Sequence, residues 1–106
     1  GGDPVELVEK YHERITYVHI KAFDEDITKE AHEKDWPFGE AVAKGASVCP
    51  PEGLPEMHAF VDALAKLDKD IYCICEQDCY PCEPTFPKQN AINMRNYLAD
   101  CGLGLK

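Results

Sequence analysis

No apolar run in this chain approaches the ~20 residues that a membrane-spanning helix needs, and its opening residues carry no signal-peptide pattern. A membrane partner is therefore not expected, and the expected localisation is cytoplasmic. Basic residues are scarce: 11 Lys and Arg stand against 20 Asp and Glu, a net charge of −9. A footprint on a phosphate backbone needs clustered Lys and Arg, so nucleic acid is not an expected partner either. Internal repeats and low-complexity tracts are also missing, so nothing of that kind speaks against part of a larger α/β domain. Position 1 is glycine rather than an initiator methionine. The expectation is a processed, trimmed or excised piece of a longer chain.

What is present is ordinary globular composition, 44% hydrophobic and 29% charged over 106 residues. That length suits one domain over residues 1–106, with a modest core. The six cysteines, at 49, 73, 75, 79, 82 and 101, permit a disulfide framework. The periodic hydrophobic segments do not suit a loop-rich stapled scaffold, so a reduced chain with cysteines serving as small apolar residues is expected.

Asp3-Pro4 is a helix start, because Asp caps and Pro fits the first helical position. Val5, Val8 and Tyr11 or His12 then share one face. "ITYVHIKAF" changes to strand character, with Thr16, Val18 and Ile20 on one side and Tyr17, His19 and Lys21 on the other. Residues 24–44 read as helical with a break at Trp36-Pro37 and an end at Gly45. "ASVCPPEGLP" reads as a rigid extended connection. A helix starting at Pro55 follows, with Met57, Phe60, Val61, Leu64 and Leu67 in one stripe. "IYCICE" is a second strand, "QDCYPCEPTFP" a proline-rich loop, and "KQNAINMRNYLADCG" a last helix with Ala91, Met94, Leu98 and Cys101 aligned. Strands alternating with helices imply parallel geometry covered on both faces. Two strands cannot complete such a sheet, so the expectation is part of a larger α/β domain.

The stretch "CICEQDCYPC" places four cysteines around Glu76. A zinc site would need four converging ligands. Strand alternation instead puts Cys73 and Cys75 on one face and Tyr72, Ile74 and Glu76 on the other, while Cys79 and Cys82 fall in the loop. Glu76 ends an apolar strand, where ligand sites of parallel α/β folds lie; a solvated or capping glutamate is the plainer alternative. His19 lies near the end of the other strand. One imidazole and one carboxylate from neighbouring strand ends suit a divalent ion such as Mn²⁺, Co²⁺ or Mg²⁺.

"GGDPVELVEKYHERITYVHIKAFD", "PFGEAVAKG" and "FVDALAKLDKDIYCICEQD" resemble the carboxyl-terminal end of sugar phosphate isomerase/epimerase-like proteins. These belong to the xylose-isomerase-like TIM-barrel superfamily, which includes inosose dehydratases and ketose 3-epimerases. The resemblance implies an α/β fold, namely the carboxyl-terminal part of a (β/α)8 barrel with strands seven and eight and their flanking helices. The earlier barrel strands, with a further Glu and Asp ligand, would then be missing partners. His19 and Glu76 match the family's metal ligands on those two strands. Ala22 stands where the family often has Asp, Tyr17 replaces the first His of a usual pair, and the arginine of ketose 3-epimerases is absent. "CPPEGLPEM" varies a substrate-facing loop, keeping Glu52 and Gly53 while Pro51 replaces a glycine.

The implied function is a metal-dependent isomerase or epimerase acting on a sugar, sugar phosphate or polyol ketone through an enediolate. Glu76 would be both a metal ligand and a catalytic proton carrier, with Lys21 and Glu52 contacting substrate. An inosose-type dehydratase is the alternative enzyme, and a non-catalytic fragment or truncated paralogue the alternative from another class. A homo-oligomer is compatible with each.

Overall fold

The computed structural model describes residues 2–78 and 82–103. Cys79, and with it half of the Cys79–Cys82 spacing, lies outside the described residues. The elements run α1 (Pro4–Tyr11), β1 (Tyr17–Ile20), β2 (Ala22–Phe23), α2 (Glu25–Glu33), α3 (Phe38–Ala43), β3 (Ser47–Val48), α4 (Met57–Ala65), β4 (Tyr72–Cys75) and α5 (Phe86–Asp100). The architecture is mixed α/β. No helix among the described residues is long and apolar enough to cross a membrane.

Helix α1 begins as its sequence dictates. Asp3 Oδ1 accepts from the N–H groups of Val5 at 2.8 Å and Glu6 at 3.3 Å, and Pro4 occupies the first turn. Its buried face is narrower than expected: Val8 is buried, whereas Tyr11 and His12 are exposed.

Strands β1 and β4 pair in parallel, Tyr17 opposite Tyr72 through Ile20 opposite Cys75. Alternation sends Val18 and Ile20 inward with Cys73 and Cys75. There they join a core of Val8, Ala22, Met57, Val61, Leu64 and Leu98 supplied by the helices and β2. Tyr17, Tyr72 and Ile74 occupy the opposite face and stay exposed. Only one side of this two-stranded sheet is covered.

The strand expected to run through Phe23 stops at Ile20. Ala22 and Phe23 leave it to pair antiparallel with Val48 and Ser47. Phe23 also exchanges two hydrogen bonds with Leu54, at 2.9 and 2.7 Å, and Asp24 N–H donates to Ala46 C=O at 2.8 Å. The purely parallel expectation is corrected accordingly: a small antiparallel sheet caps the parallel one. The 46–55 segment is extended only at Ser47–Val48 and then turns, Glu52 N–H donating to Cys49 C=O at 3.1 Å.

Helix α4 starts after Glu56 rather than at Pro55. The Glu56 carboxylate caps it, accepting from the N–H groups of His58 at 3.1 Å and Ala59 at 2.8 Å. Helix α5 starts two residues earlier than Lys88, and its buried row is Asn90, Met94 and Leu98. Ala91, expected in that row, is exposed, because the (i, i+4) row from Leu98 runs through position 90. The helix stops before Gly102, whose φ of +89° favours glycine.

Leu98 and Cys101 pack in the same cluster as Cys73 and Cys75, so α5 covers the cysteine face as expected. Burial pushes both strand thiols up from their ordinary range, which depletes the reactive thiolate. Cys82 is exposed. Alkylation at neutral pH with peptide mass mapping should therefore modify Cys82 well before Cys73 and Cys75. Equal rates at all three would put the cysteine face in solvent.

Candidate active site

The ladder continues one residue past β4: Glu76 N–H donates to Ile20 C=O at 3.0 Å. That bond carries the parallel register onward and leaves the Glu76 side chain on the open face with Tyr72 and Ile74. On the adjacent strand, parity puts Tyr17, His19 and Lys21 on this same face. The side chains meet there. His19 Nδ1 is in direct contact with Glu76 Oε2, and Lys21 Nζ donates to Glu76 Oε1 at 2.9 Å. The expectation that His19 and Glu76 share one side at the carboxyl ends of adjacent parallel strands agrees with this geometry.

Surrounding groups fix the pair. Tyr17 Oη lies 3.0 Å from His19 Nε2, so the hydroxyl orients the ring with Nδ1 toward the carboxylate. Lys21 Nζ also lies 2.7 Å from Asp78 Oδ2, and the rings of Phe23 and Phe38 each stand 5.7 Å from it. The Lys21 ammonium beside Glu76, and then His19, hold the Glu76 carboxyl below the usual carboxylate range. Asp78, opposed by desolvation and assisted by Glu76, raises Lys21 above the ordinary lysine value. The cluster is thus a carboxylate pair locked around one ammonium, with an imidazole at its edge.

Of the residues expected at a site, His19, Lys21 and Glu76 come together. Glu52 is exposed in the turn between β3 and α4. Among the described residues it forms no hydrogen bond or ion pair with the other three. Asp78 and the two phenylalanines were not singled out from the sequence. Asp78 had a readable signal, since it lies two residues beyond Glu76 and strand parity extends to it. Phe38 had none, because it comes from a separate helix.

Among the described residues no three His, Cys, Asp or Glu side chains gather as a metal cage. His19 and Glu76 nonetheless present a nitrogen and a carboxylate oxygen at contact distance. A ligating imidazole held from its other nitrogen by a second group, here Tyr17, is the usual arrangement at metal centres. The donor set fits part of a divalent site. Cys73 and Cys75 point to the opposite face and contribute nothing to it.

No protein-family model matches this chain, and no solved structure matches it. Curated relatives do. An inosose dehydratase from Clostridium tetani is 30% identical over 94% of this chain and 33% of its own length. The rhizopine catabolism protein MocC of Rhizobium meliloti is 32% identical over 99% of this chain and 33% of its own. An inosose dehydratase from Histophilus somni is 29% identical over 91% of this chain and 32% of its own. The chain spans about a third of the length of these relatives.

Proposed function

We propose that this chain is the carboxyl-terminal part of a (β/α)8-barrel lyase of the inosose dehydratase type, removing water from a cyclic polyol ketone. The observation that carries the reading is the contact of His19 with Glu76 at adjacent parallel strand ends, with Lys21 on the second carboxylate oxygen. Two further facts support it. The exposed Tyr17, Tyr72 and Ile74 leave one sheet face uncovered, where parallel sheets bury both. The relatives are about three times longer than the stretch they share with this chain, enough for the earlier strands to cover that face.

His19 and Glu76 would hold a divalent ion (Mn²⁺, Co²⁺ or Mg²⁺) together with ligands from those strands. Such an ion, when bound, polarises the substrate carbonyl and acidifies the adjacent C–H. Glu76, kept anionic by Lys21 and His19, would offer the ion a charged oxygen with no proton to displace. Lys21, with two of its three N–H groups on Glu76 and Asp78, would donate the third to a substrate oxygen. In elimination that oxygen is the departing β-hydroxyl, a poor leaving group that needs a donor. Tyr17 holds the His19 ring, and the Phe23 and Phe38 rings each stand 5.7 Å from the ammonium.

An isomerase or epimerase would share the first proton abstraction but return the proton to carbon. The likeness to inosose dehydratases favours elimination over that course. The test is product mass. The full reading frame, purified with Mn²⁺, is incubated separately with an inosose and with a ketohexose. A product lighter by one water from the inosose is expected. An isomer of unchanged mass would replace elimination by epimerisation, and no product from either would leave a non-catalytic role.

A further inference from the structure

The parallel ladder reaches Glu76 through its bond to Ile20, and Gln77 and Asp78 lie beyond it. Something other than the sheet must hold this segment, and a continuous polar chain does so. Asn90, at the amino-terminal end of the buried row of α5 and 5% exposed, donates from Nδ2 to Gln77 Oε1 at 2.9 Å. Gln77 Nε2 donates to the Ser47 carbonyl at 3.2 Å. Asp78 N–H donates to Ser47 Oγ at 3.0 Å, and Ser47 is itself 3% exposed. Asp78 Oδ2 then meets Lys21 Nζ, which binds Glu76.

We propose that Ser47, Gln77 and Asn90 are positioning residues that set the Glu76 carboxylate against His19 and Lys21, an assignment that rests on the functional reading above. Three features point this way. The Gln77 side chain bonds Ser47 and Asn90 while its neighbours Glu76 and Asp78 both meet Lys21, so each anchor on residue 77 helps to fix its two neighbours on the site face. Each link comes from a different element, β3, α5 and the 76–78 segment, so the carboxylate is tied at points far apart in the chain. A buried amide among Met94 and Leu98 carries a desolvation cost that an apolar residue would avoid. Its hydrogen bond to Gln77 gives that amide a purpose in the geometry of the loop. The antiparallel sheet thereby gains a role as well: β3 delivers the Ser47 hydroxyl and carbonyl to the segment bearing the site.

Ser47→Ala removes one hydroxyl at nearly constant volume, and Ser47→Thr keeps it. Asn90→Leu completes the apolar row but leaves Gln77 Oε1 without its donor. In the full reading frame, Mn²⁺ affinity, kcat and KM for an inosose, and Tm are measured for each. Outer groups that orient metal ligands are worth about 10- to 100-fold. Ser47→Ala and Asn90→Leu should weaken Mn²⁺ binding and lower kcat by about that factor, with KM nearly unchanged. Ser47→Thr should recover most of the loss. Variants that lose Tm yet keep wild-type kcat and Mn²⁺ affinity would make the chain a structural brace and overturn the positioning role alone. A wild-type protein that neither binds Mn²⁺ nor turns over a polyol ketone would overturn the functional reading and the positioning role with it.

Discussion

Glu76→Gln in the full reading frame is expected to lose Mn²⁺ affinity and turnover together, each by more than the roughly 100-fold that outer groups command at metal centres. The amide preserves the shape of the side chain, so the strand end and its 3.0 Å bond to Ile20 should survive. What disappears is charge. The site loses an anionic ligand, and the Lys21 ammonium loses one of the two carboxylates that neutralise it. An ammonium left facing the site repels a divalent cation, so both effects act in one direction. The depressed Glu76 carboxyl also fixes the pH trend: its pairing with Lys21 is intact above the ordinary carboxylate range and is lost as pH falls through the lower folded value. Replacing Cys73 and Cys75 by Ala is the control. Both thiols face the α5 side, so the change should lower Tm while sparing turnover per folded molecule. Full activity in Glu76→Gln, or metal loss confined to the cysteine variant, would reverse the roles assigned to the two faces of β4.

Those two faces were legible in the sequence because strand parity is a local rule. Tyr17 with His19, Val18 with Ile20, and Cys73 with Cys75 fall where the period of two puts them, as the burial of the strands bears out. The Asp3-Pro4 start and the Met57, Val61 and Leu64 row were readable for the same reason. Residues three or four apart on a helix report directly on its buried side. The antiparallel sheet was not readable. Strands of two residues have no period, and what ends the first strand at Ile20 is a set of bonds from Ala22–Asp24 to residues 46–54. The polar chain was hidden for a related reason. Asn90 sits in an otherwise apolar row, and only the long-range meeting of α5, β3 and the 76–78 segment gives it partners. His19 and Glu76 were found without such contacts because both sit at strand ends, where parallel folds place their chemistry. Glu52 was chosen on family resemblance, and in the structure it is exposed in a turn that meets the site region through Phe23.

Gly53→Ala is expected to be among the most destabilising single substitutions in the described chain, although it adds one methyl group to an exposed turn. Gly53 adopts φ +78°, a conformation that costs a non-glycine residue roughly 1–2 kcal/mol. A Cβ there would lie 2.3 Å from the Phe23 carbonyl oxygen and 2.7 Å from a Val48 methyl. The carbonyl is backbone and cannot swing away as a flexible side chain could. It is also the acceptor for Leu54 N–H at 2.7 Å, while Phe23 N–H donates to Leu54 at 2.9 Å. Relief of the clash must separate Phe23 from Leu54 and break that exchange, at about 0.5–1.5 kcal/mol for each bond. The sum is roughly 2–5 kcal/mol. The consequences reach the site, because Phe23 pairs with Ser47 in the antiparallel sheet, and Ser47 holds Asp78. Thermal unfolding of the variant should show a clear drop in Tm, accompanied by weaker Mn²⁺ binding in whatever fraction remains folded. A Tm within a degree or two of wild type would mean that the turn can retreat from Phe23 without disturbing β2 and β3, and that the small sheet does not constrain the loop bearing Glu76.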